Sequence, residues 1–390
     1  MQHNDFRGES LSRLGFGMMR LPTQADGKID EAAVFEMVDY ALAHGVNYFD
    51  TAFPYHSGWS ELVTGAALAR HPRESFNLAT KFPGHQVSPT HYPQEIFEKQ
   101  LKKCQVEYFD YYLLHNIYEN SYDTYMDPKW GIVEYFAEQR RKGRIRHLGF
   151  SCHARPDMLE RFLDEVGTEM EFCQIQLNYL DWTLQEGKRK YDLLTERGIP
   201  VWVMEPVRGG KLAKLTPGMM SRLEALRPGC SAPGWSFRWL MGLPNVKMIL
   251  SGMSNLEQMK DNVATFSSGE PLSEAERQLL LEIAEALKVS VPCTACRYCC
   301  EGCPAQLDIP YLISFYNDIC FQGSMTVGMQ LDALPADKLP SACLQCGACA
   351  AACPQKIDIP TVMRDFTERL KSVPKWADVC RKRDAEQPKI

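Results

Sequence analysis

Two copies of one cysteine spacing constrain this chain more than anything else in it. Cys293, Cys296, Cys299 and Cys303-Pro304 read C-x2-C-x2-C-x3-C-P, and Cys343, Cys346, Cys349 and Cys353-Pro354 repeat the pattern fifty positions later. Three close cysteines on a tight turn supply one corner of an iron–sulfur cubane, and the fourth leaves on the chain that follows. Structural zinc is the competing use of such residues, but zinc sites pair two knuckles of two cysteines each, not triplets. The chain has 15 cysteines, and in a reducing compartment that number favours metal over disulfides. Their distribution marks a boundary. Residues 1–290 hold only Cys104, Cys152, Cys173 and Cys230, and the rest crowd into the last hundred positions.

The run resembles that of bacterial ferredoxins, in which the cysteine before proline ligates the other cluster. The resemblance assigns Cys293, Cys296, Cys299 and Cys353 to one [4Fe–4S] cluster, and Cys343, Cys346, Cys349 and Cys303 to a second. Cys300 sits beside Cys299 and leaves the register slightly open, while Cys320 and Cys380 fall outside the pattern. Each copy runs through Asp-Ile-Pro into a helical pattern, Tyr311–Phe321 and Thr361–Leu370. Asp can accept from the free amides of a helix start, and Pro removes a donor that would lack a partner there. The motifs stand further apart than in a compact small ferredoxin, and the helices after each resemble the α-helical ferredoxin arrangement. The expected organisation is a barrel over 1–267, a linker and polar helix over 268–290 (the helix Leu272–Lys288), a two-cluster domain over 291–372, and a polar, loosely ordered tail over 373–390.

Upstream of the boundary, short apolar runs alternate with helix-length amphipathic stretches. The runs are Leu14–Met19, Val46–Ala52, Phe76–Lys81, Phe109–His115, Arg146–Ser151, Phe172–Asn178, Pro200–Glu205 and Lys247–Gly252. Eight such units in roughly 250 residues match the size of a (β/α)8 TIM barrel. A doubly wound sheet satisfies the same alternation, because counting alone cannot close a barrel. The segment Glu31–His44 illustrates the helical stretches. Asp30 can cap it, Val34, Met37, Val38, Ala41 and Leu42 form one stripe, and Gly45 ends it. The fold class expected is α/β, a TIM barrel followed by a small α-helical ferredoxin-like domain.

Barrel chemistry sits at the C-terminal ends of strands. Asp50 ends the second run, Lys81 the third and His115 the fourth, with Tyr55 in the loop after Asp50. Each alone reads equally well as a cap, a surface amine, a core imidazole or a loop aromatic. Together they suit carbonyl reduction. Hydride addition leaves an alkoxide that must be protonated, and a tyrosine of pKa about 10 is too weak an acid unless a lysine cation favours its anion. Aspartate would hold the lysine charged, and histidine can orient the carbonyl oxygen.

These four residues match the aldo-keto reductase tetrad, and the stretch Asp50-Thr51-Ala52-Phe53-Pro54-Tyr55-His56-Ser57-Gly58-Trp59-Ser60-Glu61 resembles the iron–sulfur branch of that family. The resemblance implies that Tyr55 is the general acid, assisted by Lys81 and Asp50, with His115 orienting the substrate. It also implies NADPH or NADH bound without GxGxxG. Ser151 and Gln174 would hold the nicotinamide carboxamide. The loop holding Pro206, Gly209, Gly210, Lys211 and Leu212 would cover the pyrophosphate. Gly252, Ser254, Gln258 and Asn262 would form the adenosine-phosphate site. Cys152, Glu205 and Gln258 depart from residues common in the family at those places.

Net charge is −6 with 45% hydrophobic and 24% charged residues, so nothing directs the chain to nucleic acid or anionic membrane. No apolar stretch approaches a membrane span, and the first residues lack a signal-peptide core, so a cytoplasmic protein is expected. Nicotinamides donate electron pairs and cubanes pass single electrons. One reading is therefore a reductase of a small-molecule carbonyl whose clusters are structural or serve a redox partner protein. A second is a ferredoxin-like electron-transfer oxidoreductase, in which a flavin or a partner protein couples the clusters to a barrel-bound substrate. A third is a sensor that binds cofactor without turnover. Trp59, Tyr118, Tyr122, Tyr125 and Trp130 are candidates for an aromatic pocket or for core packing.

Overall fold

The computed structural model describes residues 1–287, 291, 293, 295–321 and 325–388. They form two units: Met1–Leu280 together with the last residues from Arg383 onward, and Leu281–Lys382. Among the described residues, no helix is long and apolar enough to cross a membrane.

In the first unit a hairpin, β1 (His3–Phe6) and β2 (Glu9–Ser12), precedes eight parallel strands. These are β3 (Leu14–Gly17), β4 (Tyr48–Asp50), β5 (Asn77–Phe82), β6 (Phe109–Ile117), β7 (Ile145–Cys152), β8 (Cys173–Gln176), β9 (Val201–Met204) and β10 (Val246–Ser251). Every expected run overlaps one of them, and β5, β6, β7 and β10 each extend one or two residues beyond their run. β10 pairs with both β9 and β3, so the sheet has no open edge and the doubly wound alternative is excluded. The helix after β3 spans Glu31–Ala43, with the Asp30 side chain accepting from Ala33 N at 3.1 Å. It buries Val34, Met37, Val38 and Ala41, the stripe expected of it apart from Leu42, which is only half-buried.

The hairpin was not expected. Its charged residues, Asp5, Arg7 and Glu9, hide the alternation, yet Phe6 and Leu11 are buried. The Phe6 ring lies 4.9 Å from Trp202 and 6.1 Å from Tyr111, both near the starts of their strands. The hairpin therefore plugs the N-terminal end of the barrel, each buried apolar side chain contributing roughly 1.5–3 kcal/mol, and the opposite end is left for chemistry.

The helix expected over Leu272–Lys288 spans Glu274–Leu287, and Lys288 lies outside the described residues. It is less polar than expected, since Leu279, Leu280, Ile283, Ala284 and Leu287 are buried. In the second unit the helices after the two Cys-Pro steps span Ile309–Phe321 and Ile359–Leu370, each beginning two residues earlier than expected. Asp308 accepts from Tyr311 N and Asp358 from Thr361 N, so the Asp-Ile-Pro repeat does cap both. Ile309, Leu312, Ile313, Met363 and Phe366 form their shared core. The tail expected to be loosely ordered instead forms a helix, Trp376–Ala385. Trp376 and Cys380 lie four apart on one face and are buried. Residues 389–390 lie outside the described residues.

Candidate active site

β4, β5 and β6 are neighbours, with Asp50 opposite Ala79 and Lys81 opposite Leu113. This register brings Asp50, Lys81 and His115 to one end of the barrel. Lys81 is fully buried and donates to Asp50 Oδ1 at 2.5 Å, to the Thr51 carbonyl at 2.8 Å and to Tyr55 Oη at 3.4 Å. The Tyr55 and His115 rings meet edge to face at 5.8 Å.

The electrostatics follow from this packing. Burial pulls the Lys81 amine down, but the Asp50 carboxylate and Tyr55 together push it above its ordinary value, so it stays a cation. Burial also pushes the Tyr55 hydroxyl up, and the pull of Lys81 offsets this only in part. A tyrosine acidified outright by lysine was the simpler expectation; here the acid stays protonated. Burial, then His85, Lys81, His153 and Arg383, hold His115 well below the usual imidazole range and therefore neutral. Its Nδ1 has no hydrogen-bond partner, and the His85 ring lies 4.3 Å away.

Tyr55 opens a 3-10 turn, Tyr55–Gly58, in which His56 (φ 48°) and Ser57 (φ 53°) precede Gly58 (φ 87°). Two non-glycine residues in the left-handed region cost on the order of 1–2 kcal/mol each. Such strain persists only where surrounding contacts over-determine it. Leu21 N donates to His56 Nε2 at 3.2 Å as one such contact. Of the aromatic candidates, Tyr118, Tyr122 and Tyr125 are core residues. Tyr125 Oη donates to the carbonyls of Phe82 and His115, steadying the strand ends that carry the site.

Beside the tetrad lies a crevice of about 1150 Å³, including its open mouth, which reaches Asp50 and Tyr55. Gln174 lines it on β8, with its buried Oε1 lacking a partner. Pro206, Gly209 and Gly210 line one side, and Gly252, Ser254, Gln258 and Asn262 the other. Three expected cofactor residues do not line it. Ser151 Oγ accepts from Asn116 N at 2.7 Å, Leu212 is core, and Lys211 stands off the crevice. Arg208, Gly209 and Gly210 are successively left-handed, and Arg208 ties the loop down through an ion pair to Asp181 at 3.0 Å. A Cβ at Gly209 would come within 3.1 Å of Arg20 Nη2. Arg20 was missed in the sequence because it follows β3 in a turn with no motif. It bridges to Glu205 at 3.2 Å, joining the ends of β3 and β9 across the crevice, and its carbonyl accepts from Ser254 Oγ. A carboxamide, a pyrophosphate and a ribose would find in this crevice an unpaired amide oxygen, glycine backbone and the Arg20 cation, itself paired with Glu205.

In the second unit, Cys293, Cys296, Cys299 and Cys353 line one cavity, and Cys303, Cys343, Cys346 and Cys349 line another. Cys300, Cys320 and Cys380 line neither. Among the described residues, no three His, Cys, Asp or Glu side chains are drawn together as a single metal ion requires. Burial pushes Cys293, Cys299 and Cys349 up, Cys299 to about 12, so thiolates there need cationic metal to hold them. Four thiols around a cavity fit a cluster.

Known proteins resemble both parts of the chain. Residues 13–285 match the model of the Aldo/keto reductase family, and residues 292–357 match that of a 4Fe-4S dicluster domain. The chain is 26% identical over 324 residues to the NADH-specific methylglyoxal reductase of Escherichia coli (strain K12), covering 72% of this chain and 96% of that one. It is 28% identical over 215 residues to Probable aldo-keto reductase 1 of Glycine max, covering 52% of this chain but only 58% of the other. The holo form of aldo-keto reductase AKR11C1 from Bacillus halodurans superposes with a TM-score of 0.60 at 27% identity, covering 73% of this chain and 97% of that one.

Proposed function

The chain belongs to the aldo/keto reductase family, and from that premise we propose that it is a nicotinamide-dependent reductase of a small carbonyl compound, carrying two [4Fe–4S] clusters in its second unit. The observation that carries this reading is the Lys81 amine in contact with both Asp50 and Tyr55 at the end of the barrel.

Bound NADPH or NADH would supply the hydride. Gln174 would hold its carboxamide, and Gly209 and Gly210 would face its pyrophosphate with Arg20 adding charge. The chain's own residues manage the proton. Tyr55 Oη delivers it to the developing alkoxide. The Lys81 cation stabilises the tyrosinate left behind, and Asp50 keeps Lys81 charged. His115, held neutral, offers a ring N–H to the carbonyl oxygen without competing for the proton. A small dicarbonyl, of the kind named for the Escherichia coli relative, is the substrate class to try first.

Cys293, Cys296, Cys299 and Cys353 would hold one cluster, and Cys303, Cys343, Cys346 and Cys349 the other. Clusters exchange single electrons, so in this reading they stand outside the carbonyl step and serve structure or a redox partner protein.

Replacing Tyr55 tests the reading. Tyr55→Phe removes only the transferred proton, so kcat should fall by about 10²–10⁴-fold with the dissociation constant for the nicotinamide nearly unchanged. Undiminished turnover would remove Tyr55 as the acid.

A further inference from the structure

The chain's last residues belong to the barrel unit. They close on the strained turn that presents Tyr55. Ser57 Oγ donates to Glu386 Oε2 at 2.7 Å, and Trp59 Nε1 donates to the Glu386 carbonyl at 3.3 Å. Gly58 is favoured by its positive φ, and a Cβ there would crowd Gln387 Cγ at 3.2 Å. Pro388 is buried, and the charge of Arg383 reaches both His85 and His115. Left-handed His56 and Ser57 are a conformation the chain leaves unless held. His56 is held by Leu21, and Ser57 is held by Glu386.

We propose that Glu386 is a positioning residue for Tyr55: the returning C-terminal segment clamps the turn Tyr55–Gly58 and so keeps the Tyr55 hydroxyl in reach of Lys81. The inference rests on the reductase reading for its consequence, but its geometry can be measured without turnover. The contact between Tyr55 and Lys81 is already long at 3.4 Å, so a small drift of the turn breaks it. Tyr55 then loses the cation that offsets its burial, and its pKa rises.

The test uses the full chain labelled with ¹³Cζ-tyrosine, with the Tyr55 resonance assigned by its loss in Tyr55→Phe. In Glu386→Ala the Tyr55 titration should move up, and kcat for a dicarbonyl should fall at least about tenfold, while KM for the nicotinamide stays within about threefold. Glu386→Gln keeps an acceptor for Ser57 and should restore both. Ser57→Ala removes the same bond from its other end and should reproduce the shift, which keeps the test decisive if Glu386→Ala folds poorly. An unmoved Tyr55 titration in either alanine variant overturns the clamp. A protein that shows the shift yet reduces no carbonyl overturns the reductase reading and sustains the clamp.

Discussion

Lys81 and Lys103 are both fully buried amines in one barrel, and their partners give them different work. Lys81 faces Asp50 and a tyrosine hydroxyl at the open end of the site. Lys103 pairs with Glu61 at 2.9 Å, both side chains fully buried, and Glu61 also accepts from Thr80 and Gln100. That network locks the helix Trp59–Leu68 against β5 and the helix Pro93–Cys104. A buried pair adds little net stability of itself, but breaking one side of it strands a charge. Glu61→Ala should therefore cost about 3–5 kcal/mol, read as a fall in the chemical unfolding midpoint. Glu61→Leu combined with Lys103→Met should recover much of that, the remainder reflecting the acceptor lost to Thr80 and Gln100. If the double variant is as unstable as the single one, the stranded-charge account is wrong.

Among the elements, the N-terminal hairpin has no counterpart in the sequence reading, and it carries a pH dependence. His147 on β7 lies 3.1 Å from Glu171 and 3.5 Å from Glu9 on β2. Burial pulls His147 down, but the two carboxylates outweigh it and push it up to about 9. Glu9 is lowered in turn, chiefly by its hydrogen bond to His147. A histidine raised in the folded state adds stability that is fully present below its unfolded pKa of about 6.5 and is lost as pH rises through about 9. Part of the field escapes into solvent, so the effect is about 1–2 kcal/mol rather than the full shift. Thermal melts at pH 7 and pH 9.5 should show a larger drop for the native chain than for His147→Gln, and equal drops would refute the link. The barrel strands were legible because eight apolar runs repeat at barrel spacing, and Asp50, Lys81 and His115 because each stands at or near the C-terminal end of one of those runs. The hairpin was not, since four-residue strands laced with charge carry no period. Arg20 and Glu386 were not, because the sequence places them in a turn and a tail, and only folding brings them to the site. The helix Trp376–Ala385 was legible in principle from Trp376, Val379 and Cys380, but three apolar residues among so many charges are a weak stripe.

For the whole molecule, the open issue is how electron pairs and single electrons coexist in one chain. In the proposed reading the barrel manages the proton of a two-electron reduction, with Tyr55 as donor, the Lys81 cation to stabilise its anion and a neutral His115 to face the carbonyl. The second unit has eight thiols divided between two cavities, which at one cubane each predicts about eight iron atoms per chain. Hydride chemistry in the first does not pass electrons singly to the second unless a converter is bound. Purified anaerobically, the protein should therefore contain about eight irons, and its visible cluster absorbance should persist when NADPH or NADH is added, while a dicarbonyl consumes the nicotinamide at the same time. Four irons or fewer would mean that one set of thiols does other work. Bleaching by the nicotinamide alone would mean that electrons reach iron, that a converter such as a flavin accompanies the barrel, and that carbonyl reduction is not the reaction this chain was built around.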